Sequence, residues 1–309
     1  MDVFITGGSG FIGGALCRAL RDANRSVVVL TRTTEAAGRL PRGVEFCLGD
    51  PSESGPWLAE AGQARVVINL AGASIFGRWS DSYQQAIRDS RVRTTRHLVQ
   101  ALADHAGQDQ RLLISASAVG YYGLRGDQDL DERSAPGDDF LARVCRDWEA
   151  EAMAAESLGV RVVCTRFGMV LGAGGGALAR MLPLFRKGLG GRLGHGRQWV
   201  SWIHQKDLVT AMMFLMARPR LSGPVNLTAP HPVTNRELTR ELAAALGRPA
   251  WLPVPGWAMR CVLGEVATVL LGGQKVLPAK LLEAGFSFHF PTLGVALADL
   301  LGESRGHDA

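Results

Sequence analysis

Lysine, tyrosine and paired cysteine are scarce in this chain. Only four of its 34 basic residues are lysines (Lys187, Lys206, Lys275 and Lys280), so the net charge of +5 rests on arginine. Such a balance is more often set by genomic base composition than by a polyanionic partner. The densest basic run, Arg88, Arg91, Arg93 and Arg96, reads as the solvated face of a helix, and no nucleic-acid motif accompanies it. No nucleic-acid partner is expected. The five cysteines, Cys17, Cys47, Cys145, Cys164 and Cys261, are odd in number and form no C-x-x-C pair. That argues against a disulfide framework or a zinc site and points to a reducing cytoplasm. Long apolar runs are missing too: Val262 to Leu271 is too short to span a bilayer and carries Glu265. No basic segment precedes a long apolar run after Met1, so no secretory signal is expected. A cytoplasmic protein with no metal and no membrane partner is the expectation.

The 309 residues are 47% hydrophobic and 20% charged, enough for one large domain or two ordinary ones without disulfides. Short apolar, β-branched runs alternate with helical patterns. Strands are predicted at Val3 to Thr6, Ser26 to Thr31, Arg65 to Leu70, Arg111 to Ser115 and Val160 to Arg166. Helices are predicted at Phe11 to Ala23, Ser80 to Ala106 and Phe140 to Leu158. Alternation of this kind predicts an α/β fold, a Rossmann doubly wound parallel sheet with helices on both faces. After Gly168 the composition turns glycine-rich. We therefore expect a nucleotide-binding domain over residues 1–170, with 201–228 returning to it, and a smaller, loop-rich substrate domain over 171–309 that covers the crevice. His204-Gln205-Lys206-Asp207 reads as a helix start capped by Asp207.

Gly7-Gly8-Ser9-Gly10-Phe11-Ile12-Gly13 stands between the first strand and the first helix. Glycines there permit a tight turn, clear space for a pyrophosphate and leave helix N-terminal amides pointing at it. A bare G-x-G-x-x-G is weak, but strand before and helix after supply the required context. An acid about twenty residues on would bind a ribose 2′-hydroxyl. Instead the second strand ends Leu30-Thr31-Arg32-Thr33-Thr34, with no acid before Glu35. Arg32 and Thr31 can pair with a 2′-phosphate that a carboxylate would repel, so NADP is the expected cofactor; the alternative is a solvated loop arginine.

These residues resemble the extended short-chain dehydrogenase/reductases, the group that includes nucleotide-sugar epimerases. The resemblance rests on Thr6 to Gly13, Gly49-Asp50, Asn69-Leu70-Ala71-Gly72, Ser115-Ala116-Ser117, and Arg166 before Gly168. More narrowly, Gly77-Arg78-Trp79, Ser90-Arg91, Val119 to Gly123, Asp147-Trp148-Glu149, Trp202-Ile203-His204 and Gly272 to Pro278 look like one atypical subfamily of epimerase family proteins with a characteristic C-terminal domain. The resemblance implies that Gly7, Gly10 and Gly13, with Phe11 and Ile12, hold the pyrophosphate. It likewise implies Thr31 and Arg32 at the ribose phosphate, Asp50 at the adenine, and Leu70, Ala71 and Gly72 at the ribose. Arg91 and Met169 fall where related proteins approach the cofactor. Asp50 reads equally well as a turn residue. A homodimer is common in related folds.

The resemblance breaks at the catalytic pair. The superfamily uses a Tyr four residues before a Lys, whose charge lowers the phenol's pKa. Here Tyr83, Tyr121 and Tyr122 are followed at that spacing by Ile87, Arg125 and Gly126. Ser117 remains where the superfamily's serine meets the substrate, and Tyr121 or Tyr122 could supply a phenol. His195 and His204 are further proton carriers, each read equally as structural, and Cys145 reads as a packed thiol. Two functions stay open: an NADP-dependent oxidoreductase or epimerase on a small-molecule substrate, with Ser117 and Tyr121 at its site, or a non-catalytic NADPH-binding sensor or interaction protein.

Overall fold

The computed structural model describes residues 1–105, 107 and 110–302. The chain opens with β1 (Val3–Thr6), β2 (Val27–Thr31), β3 (Glu45–Leu48), β4 (Val66–Asn69) and β5 (Leu112–Ala118). Between them run α1 (Phe11–Asp22), α2 (Thr34–Ala37), α3 (Trp57–Gln63) and α4 (Asp81–Ala103), and α5 (Phe140–Met153) follows β5. The helix expected to reach Ala106 ends at Ala103, and Ala106 itself lies outside the described residues. The helix expected over Phe140 to Leu158 gives way after Met153 to a 3-10 turn, Ala154–Leu158. Gly159, at φ +76°, stops it in the left-handed region that favours glycine.

Beyond α5 come β7 (Arg161–Phe167), β8 (Met169–Gly172), β9 (Trp199–Val200), β10 (Trp202–His204), β11 (Gly223–Leu227) and β12 (Val233–Thr234), with β6 (Asp129–Leu130) before α5 and β13 (Lys275–Val276) near the end. Seven strands make one sheet in the order β11-β7-β5-β4-β1-β2-β3, every pairing parallel. The direction of winding reverses between β1 and β4, the switch point where such sheets open a crevice at the strands' carboxyl ends.

Strand alternation splits the core in two. Val3 and Ile5 pack with Leu16, Cys17 and Leu20 of α1, together with Leu208 and Met212 of a later helix. Phe4 faces the other way, toward Trp57 and Ala61 of α3 and Leu98 of α4. Because both faces are covered, the strands read as continuous apolar runs such as Val27-Val28-Val29.

The remaining helices are α6 (Gly176–Arg186), α7 (Gln205–Met216), α8 (Asn235–Leu246), α9 (Gly256–Leu263), α10 (Val266–Leu271), α11 (Ala279–Glu283) and α12 (Leu293–Gly302). They build a third cluster around Trp202, Leu238, Leu242 and Leu297. Asp207 does not cap α7. His204 is the N-cap residue, its Nδ1 accepting the Lys206 N–H, while the buried Asp207 carboxylate reaches across to accept the backbone N–H groups of His289 and Phe290, both at 2.9 Å. Asp207 thus ties α7 to the segment leading into α12. No helix among the described residues is long and apolar enough to cross a membrane.

Candidate functional site

The β1–α1 turn separates glycines that pack from the one that opens outward. A Cβ on Gly13 would run into the Gly7 carbonyl oxygen, one on Gly8 would meet Val29 Cγ2 at 2.6 Å, and one on Gly7 the Leu70 carbonyl carbon at 2.7 Å. Gly7 also sits at φ +74°. These three let the turn nest against β2 and the end of β4. Gly10 is different: its Cβ would have only the Gly7 oxygen nearby, at 3.2 Å, and would otherwise project into open space. Gly10 is the N-cap of α1, and no side chain among the described residues caps that helix, so its first amides have no side-chain partner there.

Phe11 and Ile12 are partly buried. The Phe11 ring lies against the glycine-rich turn after β8, where Cβ atoms on Gly172 and Gly176 would sit 2.6 and 3.0 Å from it and one on Gly175 would collide outright. Gln205 Nε2 donates to the Phe11 carbonyl at 2.9 Å. Phe11 therefore joins the cofactor turn to the later part of the chain, a role its place in the motif did not suggest.

Beside this turn lie Leu70, Ala71 and Gly72, with Arg91 against Gly72. Thr6 Oγ1 donates to Asn69 Oδ1 at 2.7 Å, and the Leu70 N–H donates to the Thr6 carbonyl at 3.0 Å, which sets Leu70, Ala71 and Gly72 beside the glycine turn. Arg91 of α4 lies underneath: a Cβ on Gly72 would be 3.1 Å from its guanidinium carbon. Its Nη1 donates to the Ile87 carbonyl, its guanidinium stacks 5.2 Å over Trp148, and burial holds its pKa below the ordinary arginine range. Arg88, Arg93 and Arg96 of the same run pair with Asp147, Asp89 and Glu151. Arg32 is exposed at the end of β2, and Thr31 turns its hydroxyl to the Thr33 carbonyl. Asp50 takes the turn role, accepting the Ser52 N–H at 2.8 Å. Met169 bonds through its backbone to Ser201.

Across the switch point, the ends of β5, β7 and β11 carry a buried charged network. Glu149 of α5 holds Arg166 of β7 through two bonds, to Nε at 2.8 Å and Nη2 at 2.7 Å. Ser117 Oγ donates to the same carboxylate at 2.6 Å. Arg166 Nη1 donates to the Tyr122 hydroxyl at 2.9 Å, and that hydroxyl donates to Asn226 Oδ1 at 2.7 Å. Burial acts to lower the Arg166 pKa, but hydrogen bonding and charge from Glu149 outweigh it and raise the value, so the guanidinium stays charged. Burial pushes the Tyr122 phenol up to about 12. Tyr121 is half-buried, its ring laid 3.4 Å from the Arg166 guanidinium carbon, and its hydroxyl has no hydrogen-bond partner among the described residues. The Cys145 thiol, buried beside Ser117, is raised by burial to about 12, a packed thiol as its setting suggested.

His195, named from the sequence as a proton carrier, is exposed and accepts the Arg197 N–H at 2.9 Å. Glu149 was quoted only as part of a motif, and its pairing with Arg166 carried no sequence signal: the two lie 17 residues apart on different elements.

The chain matches the NAD dependent epimerase/dehydratase family over residues 3–227 and a domain of unknown function (DUF1731) over residues 254–300. It is 42% identical over 302 residues to an epimerase family protein SDR39U1 homolog, chloroplastic, from Arabidopsis thaliana, covering 97% of this chain and 87% of that one. It is 47% identical over 298 residues to the epimerase family protein Mb2239 of Mycobacterium bovis, covering 96% of each. Among solved structures, human epimerase family protein SDR39U1 (isoform 2) with NADPH superposes with a TM-score of 0.85 at 33% identity, covering 98% of this chain and 99% of that one. With its Rossmann-like sheet and glycine turn, this chain belongs to the NAD dependent epimerase/dehydratase family, within the extended short-chain dehydrogenase/reductase fold.

Proposed function

We propose that this chain binds NADPH at the β1–α1 turn and acts as an oxidoreductase or epimerase on a small-molecule substrate held near the ends of β5 and β7. The observation that carries the cofactor half is Arg32, an exposed guanidinium at the end of β2 with no ion pair among the described residues. The nearest acid in sequence, Glu35, is occupied locally: its own backbone N–H and the Thr33 hydroxyl hold its carboxyl below the usual range. A 2′-phosphate would meet a cation there that no carboxylate among the described residues pairs with. The open side of Gly10 and the uncapped start of α1 fit a pyrophosphate. That the human relative is solved with NADPH supports the same reading.

When bound, the nicotinamide supplies hydride chemistry. The chain's own groups then divide the proton work. Ser117 donates its hydrogen to the Glu149 carboxyl oxygen, so its remaining lone pairs can only accept, which suits a substrate hydroxyl. Tyr121 keeps a hydroxyl free to donate, which suits a substrate carbonyl oxygen. Tyr122 is committed on both sides, to Arg166 and Asn226.

The test is a screen of carbonyl compounds and nucleotide sugars for NADPH oxidation, repeated on any hit with Tyr121→Phe and Ser117→Ala. Loss of a general acid lowers a rate by roughly 10²- to 10⁴-fold, and that is the loss expected for Tyr121→Phe. Turnover unchanged in both variants would overturn the site assignment.

A further inference from the structure

Away from the crevice, three arginines converge on one shallow cavity. Arg192 precedes β9, and Arg236 and Arg240 stand one turn apart on α8. With Thr239, Ala243, Ala250 and Trp251 they line a cavity of about 260 Å³. No residue of the β1–α1 turn or of the Ser117–Glu149–Arg166 network takes part in it.

The convergence is built into the backbone. Gly196, at φ +71°, accepts the Arg236 N–H at 2.8 Å, and Asn235 Oδ1 accepts the Leu193 N–H at 2.8 Å. A Cβ on Gly196 would lie 3.3 Å from side-chain atoms of both Arg192 and Arg236, so this turn carries the two arginines side by side. Arg192 Nη1 donates to the His195 carbonyl at 3.0 Å, which fixes its stem and leaves most of its fork unused.

None of the three forms an ion pair with a carboxylate among the described residues. The sequence supplies no acid to the two segments that meet here: none lies between Glu156 and Asp207, and none between Glu241 and Glu265. The acids of α8 are turned elsewhere. The Glu237 carboxylate accepts the Thr234 N–H at 2.7 Å and the Thr234 hydroxyl at 2.9 Å, and the charge of Arg240 is the weakest influence on it. Glu241 lines a separate cavity beside Gly294. Three like charges held together with no ion-paired carboxylate among the described residues repel, and a bound dianion removes that repulsion while matching the guanidinium forks. Trp251 stands at the edge with its indole 82% exposed, a flat platform for a ring.

We propose that this cavity is a second binding site, for a nucleoside monophosphate, with the phosphate on Arg192, Arg236 and Arg240 and the base stacked on Trp251. Equilibrium dialysis of the full chain, saturated with NADPH to fill the crevice, tests it with 5′-AMP and, in parallel arms, inorganic phosphate and adenosine. The expected result is one equivalent of 5′-AMP, bound more tightly than either fragment. Arg236→Gln/Arg240→Gln should weaken it roughly tenfold or more, leaving NADPH binding and the melting temperature unchanged. Trp251→Ala should weaken 5′-AMP about fivefold or more but not inorganic phosphate. Absence of a 5′-AMP equivalent, or binding that the double arginine variant leaves intact, would overturn the proposal. Phosphate that binds as tightly as 5′-AMP, and is replaced equally by sulfate, would mean an adventitious ion only.

Discussion

At the β1–α1 turn the groups capable of binding face outward without internal partners, whereas at the ends of β5 and β7 the charges are matched inside the protein. Among the described residues, Gly10 opens on free space, α1 has no side-chain cap, and Arg32 pairs with no carboxylate. Ser117, Glu149, Arg166, Tyr122 and Asn226, by contrast, form one chain of hydrogen bonds, beside which the Tyr121 hydroxyl has no partner among the described residues. The contrast teaches where each kind of work belongs. The first region must wait for an anion, and its backbone donors and cation cost little while solvated. The second must hold a fixed geometry in a buried place where an unmatched charge is expensive, so its polar groups are satisfied before any substrate arrives.

The largest expected effect breaks the contrast at the open end. Gly10→Val fills the space a pyrophosphate needs, so the folded variant should gain no thermal stability from NADPH. An upward shift of melting temperature equal to that of the unaltered chain would place the phosphates elsewhere.

Next, Glu149→Leu leaves Arg166 charged and buried without its partner, and should cost about 3 to 5 kcal/mol of stability by denaturant unfolding. The double variant Glu149→Leu/Arg166→Met removes both charges and should recover much of that loss. If the double variant is no more stable than the single one, Arg166 is not paired in the way described.

The smallest effect sharpens the contrast at the closed end. A thiol pKa of about 12 means that Cys145 stays protonated near neutrality, and burial shields it further. Mass spectrometry after brief alkylation should find the exposed Cys261 modified and Cys145 untouched. Fast labelling of Cys145 in folded protein would show that the region around Ser117 is open.

How much of this the sequence disclosed follows from the kind of interaction involved. Local and periodic features were readable: the β-branched run of β2, the glycine turn after β1, and the strand ends within a few residues. Leu70 to Gly72, named from the family resemblance, lie beside this turn at the carboxyl end of β4. Long-range polar pairing was not readable. Asp207 has the look of a helix cap because it lies in a first turn, yet its carboxylate serves backbone donors more than 80 residues away. Glu149 and Arg166 meet only because α5 crosses β7, and no spacing rule announces that. The Phe11 ring packs on glycines of the turn after β8, a contact between distant segments that the motif's spacing does not announce.

The central claim, that the open end is shaped for a phosphorylated ribose, is tested most directly by calorimetric titration of NADPH and NADH into the chain and into Arg32→Ala. NADPH should bind the unaltered chain the more tightly, and Arg32→Ala should lose about 1.5 to 3 kcal/mol for NADPH with little change for NADH. Equal affinities for the two cofactors, or an Arg32→Ala variant that binds NADPH as the unaltered chain does, would contradict the account.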